Sequence, residues 1–223
     1  LLARHGLSVT FMAKWNAELP GCGGHLHQSL WTEDAAAPGG FRNLFHDATD
    51  PHRLSVVARR YVAGLLAVMP ALTAVYSPTV NSYKRYVPGV WAPLTASWGI
   101  ENRTATVRAI PGGPSSTRLE YRQTAADMNP YTAIAACLAA GLHGIAQELT
   151  PPPPAQGDAQ GPPYVALPRT LRDATRLLEA SADARTLLGA PFVEHYARTR
   201  DWEVRQYEKA VTDWELRRYF EVI

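Results

Sequence analysis

Between Thr117 and Gln123 the chain alternates residue by residue. Arg118, Glu120 and Arg122 fall on one side of an extended strand, Leu119 and Tyr121 on the other. A helix would scatter these side chains around its circumference, whereas a period of two separates them. One face of this segment therefore packs on a core. The opposite face holds a carboxylate between two guanidinium groups, and other elements or a ligand must meet that charge.

The same texture reaches back to Asn81. Leu94 to Glu101, Thr104 to Ile110 and Thr117 to Gln123 read as strands punctuated by Pro and Gly, and from Asn81 to Arg122 six Lys or Arg stand against two Glu. Over all 223 residues, 22 Lys and Arg nearly cancel 20 Asp and Glu, leaving +2. So small a net charge carries no general field for nucleic acid or an acidic membrane, and the local concentration implies an anion met there. Arg85, Arg103, Arg108, Arg118 and Arg122 are the candidates, because a guanidinium fork grips carboxylate or phosphate at two points. The competing reading for any one of them is a solvated or salt-bridged arginine.

Upstream, Ser8 to Trp15 reads as a strand, Glu18 to Gly24 as a tight loop with Pro20 and three glycines, and His25 to Trp31 as a second strand. The two-residue period puts His25, His27 and Ser29 on one face of it and Leu26, Gln28 and Leu30 on the other. Histidine with a carboxylate is a reasonable ligand set for Mg²⁺ or Mn²⁺ at a phosphate-transfer site. On spacing alone, two histidines bonded to backbone on a half-buried strand are the favoured explanation, and the three glycines before them shift the balance toward a ligand site. Cys22, in the glycine loop, has no basic neighbour to activate it and reads as structural.

The remainder is helical. Asp50-Pro51 marks a helix start, and Leu54, Val57, Tyr61, Leu65, Val68 and Leu72 recur at helical spacing, with Pro70 expected to kink or end the helix. Thr32 to Asp50 reads as a loop. Asn129-Pro130 opens a helix to about Leu149, small enough on all sides to be surrounded by other elements. Residues 151–168 form a surface loop that holds six prolines between Pro151 and Pro163, and 169–223 carry two helices, Leu171 to about Leu188 and Phe192 to the C-terminus. Thr212 and Glu215 make a capping box within the second. Trp98, Trp202 and Trp214 read as core or interface residues.

Two cysteines far apart, Cys22 and Cys137, with no signal peptide, fit a reduced cytoplasmic protein. Tyr131 to Leu149, the most apolar stretch by this reading, is too short and too polar to span a bilayer. Leu1 to His5 resemble the last turn of a helix stopped by Gly6, and without an initiator Met the chain reads as a fragment whose start lies upstream. No phosphate-binding P-loop, dinucleotide fingerprint, nucleophile elbow or H-E-x-x-H motif occurs. The expected fold class is α+β.

Four ordered motifs then resemble one family. Gly21-Cys22-Gly23-Gly24-His25-Leu26-His27-Gln28-Ser29-Leu30 resembles the G-S-G-x-H-x-H-x-S-L signature of the glutamine synthetases. Asn81-Ser82-Tyr83-Lys84-Arg85-Tyr86-Val87-Pro88-Gly89 is similar to their N-S-Y-K-R-L-V-P-G loop, and Asn102 to Arg108 to their N-R-S-A-x-x-R segment. Arg118-Leu119-Glu120-Tyr121-Arg122, running into Asn129-Pro130-Tyr131, resembles R-I-E-x-R with its following helix, and Arg217-Arg218-Tyr219-Phe220 their ending.

The resemblance implies an antiparallel curved sheet flanked by helices, of glutamine synthetase catalytic-domain type. Residues 1–223 would be its C-terminal portion, lacking the N-terminal β domain. It implies a ligase that phosphorylates glutamate with ATP, then lets ammonia or an organic amine displace phosphate from γ-glutamyl phosphate, with Mg²⁺ or Mn²⁺ as cofactor. By residue-wise carry-over His25 and Glu120 hold metal, and Gly21, Arg85, Arg103 and Arg122 bind glutamate. Arg103 and Arg108 face the transferring phosphoryl group, and His27, Gln28 and Ser29 lie along the nucleotide. The implied assembly is a homo-oligomer of stacked rings, a dodecamer at full length, with sites shared between subunits, so that the fragment alone is not expected to turn over.

Three positions depart from the pattern. Where ammonia-using members have a Glu six residues after the loop Arg, this chain has Trp91, whose indole face suits an alkylammonium such as ethanolamine or a polyamine. Pro20 replaces an Asn and Cys22 a Ser. The competing class of function is a non-catalytic, ring-forming structural or regulatory paralogue.

Overall fold

Leu119 and Tyr121 are fully buried, and the Tyr121 ring lies tilted against Tyr76 with centroids 4.7 Å apart. In the computed structural model, which describes residues 2–222, these side chains belong to β7 (Arg118–Tyr121). It sits inside a four-stranded sheet with β1 (Leu26–Gln28) on one side and β6 (Val107–Ile110), then β5 (Trp98–Ile100), on the other. The β1/β7 and β7/β6 pairs are antiparallel, as expected of the fold. The β5/β6 pair is parallel, with Trp98 opposite Val107. A connection of only residues 101–106 returns the chain to start β6 in the same direction, which demands a sharp reversal.

The helices cover the apolar face. α1 (Val56–Tyr76) and α2 (Pro130–Ala146) cross there, and one hydrophobic cluster joins Tyr61, Leu65, Met69 and Leu72 of α1 to Leu119, Tyr121 and Ala136. α1 is long and apolar enough to cross a membrane by length and composition, yet 56% of its most apolar 18-residue window is buried inside the fold. Ser55 caps α1 by accepting from the Ala58 amide at 3.1 Å, five residues beyond the expected start. Asp50 instead organises the turn before it, accepting from the His52 amide at 2.8 Å, the Leu54 amide at 3.2 Å and Arg59 at 2.9 Å.

Burial alone would raise the Asp50 pKa, but Arg59 and the two amides hold it below the usual aspartate value. A depressed folded pKa contributes stability above about pH 3.9 that is lost as pH falls through the folded value. Asp50→Asn is expected to remove that part of the acid profile. Urea midpoints measured from pH 5 downward should converge for the two proteins below the folded pKa. A constant gap across that range would exclude Asp50 as the cause.

Pro70 does not end α1, which runs on to Tyr76. Met69, Leu72 and Val75 around it are buried to completion, and packing of that size outweighs the roughly 3 kcal/mol that an internal proline costs. The segment expected as a strand at Ser8 to Trp15 forms none; Val9 and Phe11 are exposed, and no strand among the described residues pairs with it. Residues 32–50 are not simply loop, because β2 (Trp31–Glu33) and β3 (Phe41–Asn43) pair as a hairpin. The proline-rich 151–168 segment packs on the sheet rather than lying free. Trp98 Nε1 donates to the Pro152 carbonyl at 2.7 Å, and β8 (Val165–Ala166) pairs with β4 (Thr95–Ala96).

Ser181 splits the first C-terminal helix into α3 (Leu171–Ala180) and α4 (Ala182–Leu188), its side chain capping the second. α5 (Ala190–Lys209) and α6 (Asp213–Tyr219) follow, and Thr212 with Glu215 forms the expected capping box. Trp98 is buried, whereas Trp202 and Trp214 lie exposed. α2 is not surrounded: Tyr131, Ile134, Leu138 and Leu142 line an exposed apolar face.

Candidate active site

The charged side of β7 opens on a cavity of about 380 Å³ lined by the glycine loop, the Trp91 loop and four arginines: Arg85, Arg103, Arg108 and Arg122. Glu120 is the acidic residue of that lining, so its formal charge is 4 − 1 = +3 in a chain of net +2. The sheet register explains the convergence. Glu120 stands directly across from His27 on β1 and Arg108 on β6, and opposed residues point to the same face.

Glu120 is the hub. Its Oε1 accepts from Arg122 at 3.0 Å and lies 2.8 Å from His25 Nδ1, and its Oε2 accepts from Arg108 at 3.2 Å. Burial would raise its pKa, but Arg122, Arg108 and His25 together hold it below the ordinary glutamate value, so it is a carboxylate at neutral pH. Burial first, and then the Arg122 charge, push His25 below the usual histidine value. A neutral imidazole is the form that binds metal.

Arg85 and Arg122 are both 4% exposed. Arg85 donates to the Thr124 carbonyl at 3.2 Å and to that of Gln123, while Arg122 reaches the Trp91 carbonyl at 3.1 Å. The Nε of each is buried without a partner. An unmet buried donor costs roughly 1–3 kcal/mol. Arg103 lies over the Trp91 ring, 5.5 Å from its centroid, and Trp91 itself is 64% exposed at the cavity mouth.

Gly21 and Gly23 are glycines for lack of space. A Cβ on Gly21 would sit 2.6 Å from Arg85 Cγ, and one on Gly23 would sit 2.7 Å from an Arg85 guanidinium nitrogen and 2.9 Å from His25 Nε2.

The fold thus brings Gly21, Arg85, Trp91, Arg103, Arg108, Arg122, His25 and Glu120 together. It does not bring Gln28 there, contrary to the expectation for the nucleotide. Gln28 points to the helices, where its Oε1 accepts from Tyr61 at 2.7 Å, because the strand period assigns it to the core face beside Leu26. His27 and Ser29 lie outside the cavity lining: Arg118 donates to His27 Nδ1 at 3.1 Å, and Ser29 accepts from the Trp31 indole at 2.9 Å. Gly23 and Glu101 are residues of the site that the sequence did not single out. The run of glycines was the signal for the first; none marked the second.

Among the described residues no three His, Cys, Asp or Glu side chains cluster as a metal site. His25 and Glu120 are compatible with a divalent cation as two donors of an incomplete set.

The family described as "Glutamine synthetase, catalytic domain" matches residues 1–219. The chain belongs to the glutamine synthetase family. It is 43% identical to the type-1 glutamine synthetase 2 of Dictyostelium discoideum over 98% of this chain and 42% of that protein. It is also 40% identical to a glutamate–isopropylamine ligase of a Pseudomonas species, over 100% of this chain and 48% of that one. With the γ-glutamylethanolamide synthetase of Streptomyces coelicolor it shares 42% identity over 99% and 46%. The solved structure of GmaS without ligand superposes with a TM-score of 0.84 at 38% identity, covering 98% of this chain and 49% of that one. A GmaS complex with ADP matches equally well, at 0.84 and 39% over 98% and 50%. The chain therefore spans about half the length of the relatives it matches.

Proposed function

We propose that this chain supplies the arginine-lined half of the active site of an ATP-dependent ligase joining the γ-carboxyl of glutamate to an organic amine. The single observation that carries the reading is the cavity of net positive lining with Trp91, rather than an acid, at its mouth. Arg85 and Arg122, both in the cavity lining, suit the glutamate carboxylates. Arg103 and Arg108 supply fixed positive charge for a transferring phosphoryl group, which needs positioning and charge stabilisation rather than a nucleophilic side chain. His25 and Glu120 would hold Mg²⁺ or Mn²⁺, which neutralises phosphate charge when bound; the remaining ligands would come from outside these residues. His27 and Ser29 would contact nucleotide beyond the cavity.

The amine preference rests on Trp91. An indole has no charge with which to bind ammonium and no basic atom to take its proton, but its face attracts an alkylammonium and buries its methylenes. The ethanolamide- and isopropylamine-forming relatives support the same branch. We also propose assembly into stacked rings in the cytoplasm, with sites completed between subunits.

The test is phosphate release by the protein as its gene encodes it, given ATP, Mg²⁺ and glutamate. Ammonium should be compared with ethanolamine, putrescine and spermine. The expected result is release with at least one amine and little with ammonium. Strong release with ammonium would remove Trp91 as the specificity determinant, and silence with every nucleophile would favour a non-catalytic ring protein.

A further inference from the structure

Glu101 has no place in the site as expected from sequence, yet it adopts a costly backbone beside it. It follows the last residue of β5 and has φ +50, in the left-handed region that L side chains other than Asn and Asp rarely enter. The reversal into the parallel strand β6 requires such a residue, and its amide donates to the Ala109 carbonyl at 2.9 Å. Glycine would satisfy that turn without strain. Two other described non-glycine residues share a positive φ, Arg53 and Glu148; the first lies in the turn before α1, the second just past the end of α2, and of the three only the Glu101 side chain bonds a residue of the cavity lining, Arg108.

What the strained backbone delivers is a carboxylate behind Arg108. Glu101 Oε2 accepts from Arg108 Nε at 2.9 Å and from a terminal nitrogen of the same guanidinium. The other terminal nitrogen reaches Glu120 Oε2 at 3.2 Å. Arg108 is thus held between two carboxylates, one in front and one behind, with 18% of its side chain exposed. Without Glu101 the fork has one anion left to turn to, Glu120, which already serves Arg122 and His25.

We propose that Glu101 is a positioning residue that grips the Nε edge of the Arg108 guanidinium and limits it to a single bond with Glu120, so that it presents charge to a phosphoryl group in the cavity. Unpaired strain of this kind concentrates where a fold has to aim a functional group. The assignment of Arg108 to phosphate rests on the ligase reading above; the placement of Glu101 behind Arg108 does not.

Glu101→Gly separates position from structure, because glycine prefers this backbone and removes only the carboxylate. Two readouts are needed in the protein as its gene encodes it: phosphate release at saturating substrates, and melting temperature with and without ATP. The expected result is a melting temperature at or above wild type, phosphate release down at least tenfold, KM for glutamate within twofold, and a smaller ATP-induced rise in melting temperature. Glu101→Asn, which also tolerates this φ, should behave the same. Full turnover and a full ATP response in Glu101→Gly would overturn the assignment, as would a lower melting temperature with activity falling only in proportion. If wild type releases no phosphate with any amine, the ligase reading fails by itself. The ATP-induced shift then decides: lost in Glu101→Gly, the assignment stands; retained, it falls.

Discussion

Glu120→Ala is expected to destabilise the fold by about 3–5 kcal/mol and to lower phosphate release at least about 100-fold. The side chains of Glu120 and Arg122 are 6% and 4% exposed, and Glu120 also pairs with Arg108 and His25. Deleting the carboxylate leaves the Arg122 charge buried without its counter-ion, and that uncompensated charge is the dominant cost. Since whole domains are stable by only about 5–15 kcal/mol, the loss is a large fraction of the total. Glu120→Ala combined with Arg122→Ala should cost less than the sum of the single changes, because the second removes the stranded charge. Urea unfolding of the four proteins in this cycle measures the coupling. A single variant within 1 kcal/mol of wild type would mean that the arginines find other partners, and that Glu120 is not the hub it looks to be.

Gly144→Ala is expected to cost about 3 kcal/mol, although alanine is ordinarily the better helix former by about 1 kcal/mol. A Cβ at Gly144 would lie 2.1 Å from the Arg60 carbonyl oxygen and 2.6 Å from the Gly64 Cα, and one at Gly64 would lie 2.1 Å from the Ala140 carbonyl oxygen. Those neighbours are backbone and cannot swing aside, so α1 and α2 would have to separate along the contact that buries Tyr61, Leu65 and Val68. Gly161→Ala is the matched control, with nothing within 4 Å of its added methyl. Comparing denaturant midpoints of the two variants tests the contact; equal midpoints would mean the helices have room that this packing denies them.

Much of the site was readable before any fold was known. The alternation from Arg118 to Arg122 gave the two faces of β7 directly, since side-chain direction in a strand depends only on the residue and its immediate neighbours. The same rule placed His25 and His27 on the charged face. It also placed Gln28, which the family resemblance assigned to the nucleotide, on the core face, where its side chain meets Tyr61. Helix boundaries were less legible. Asp50-Pro51 carries the better start signature, but Ser55 is the residue whose oxygen meets the first free amide. Pro70 reads as a break until the burial on either side of it is known. Ser8 to Trp15 has the composition of a strand without a partner among the described residues, and backbone pairing, not composition, makes a strand.

By itself the sequence determined the charge of the site, the residue types available to it, the faces of its strands and, through four ordered motifs, the glutamine synthetase family. These are properties of short segments, encoded in near-neighbour sterics and spacing. The tertiary structure alone decided which charges meet. Glu120 joins His25 across 95 positions of chain, Arg122 reaches the Trp91 carbonyl, and a left-handed turn sets Glu101 behind Arg108. Such pairings depend on the path of the whole backbone between the partners, and no local period records that path.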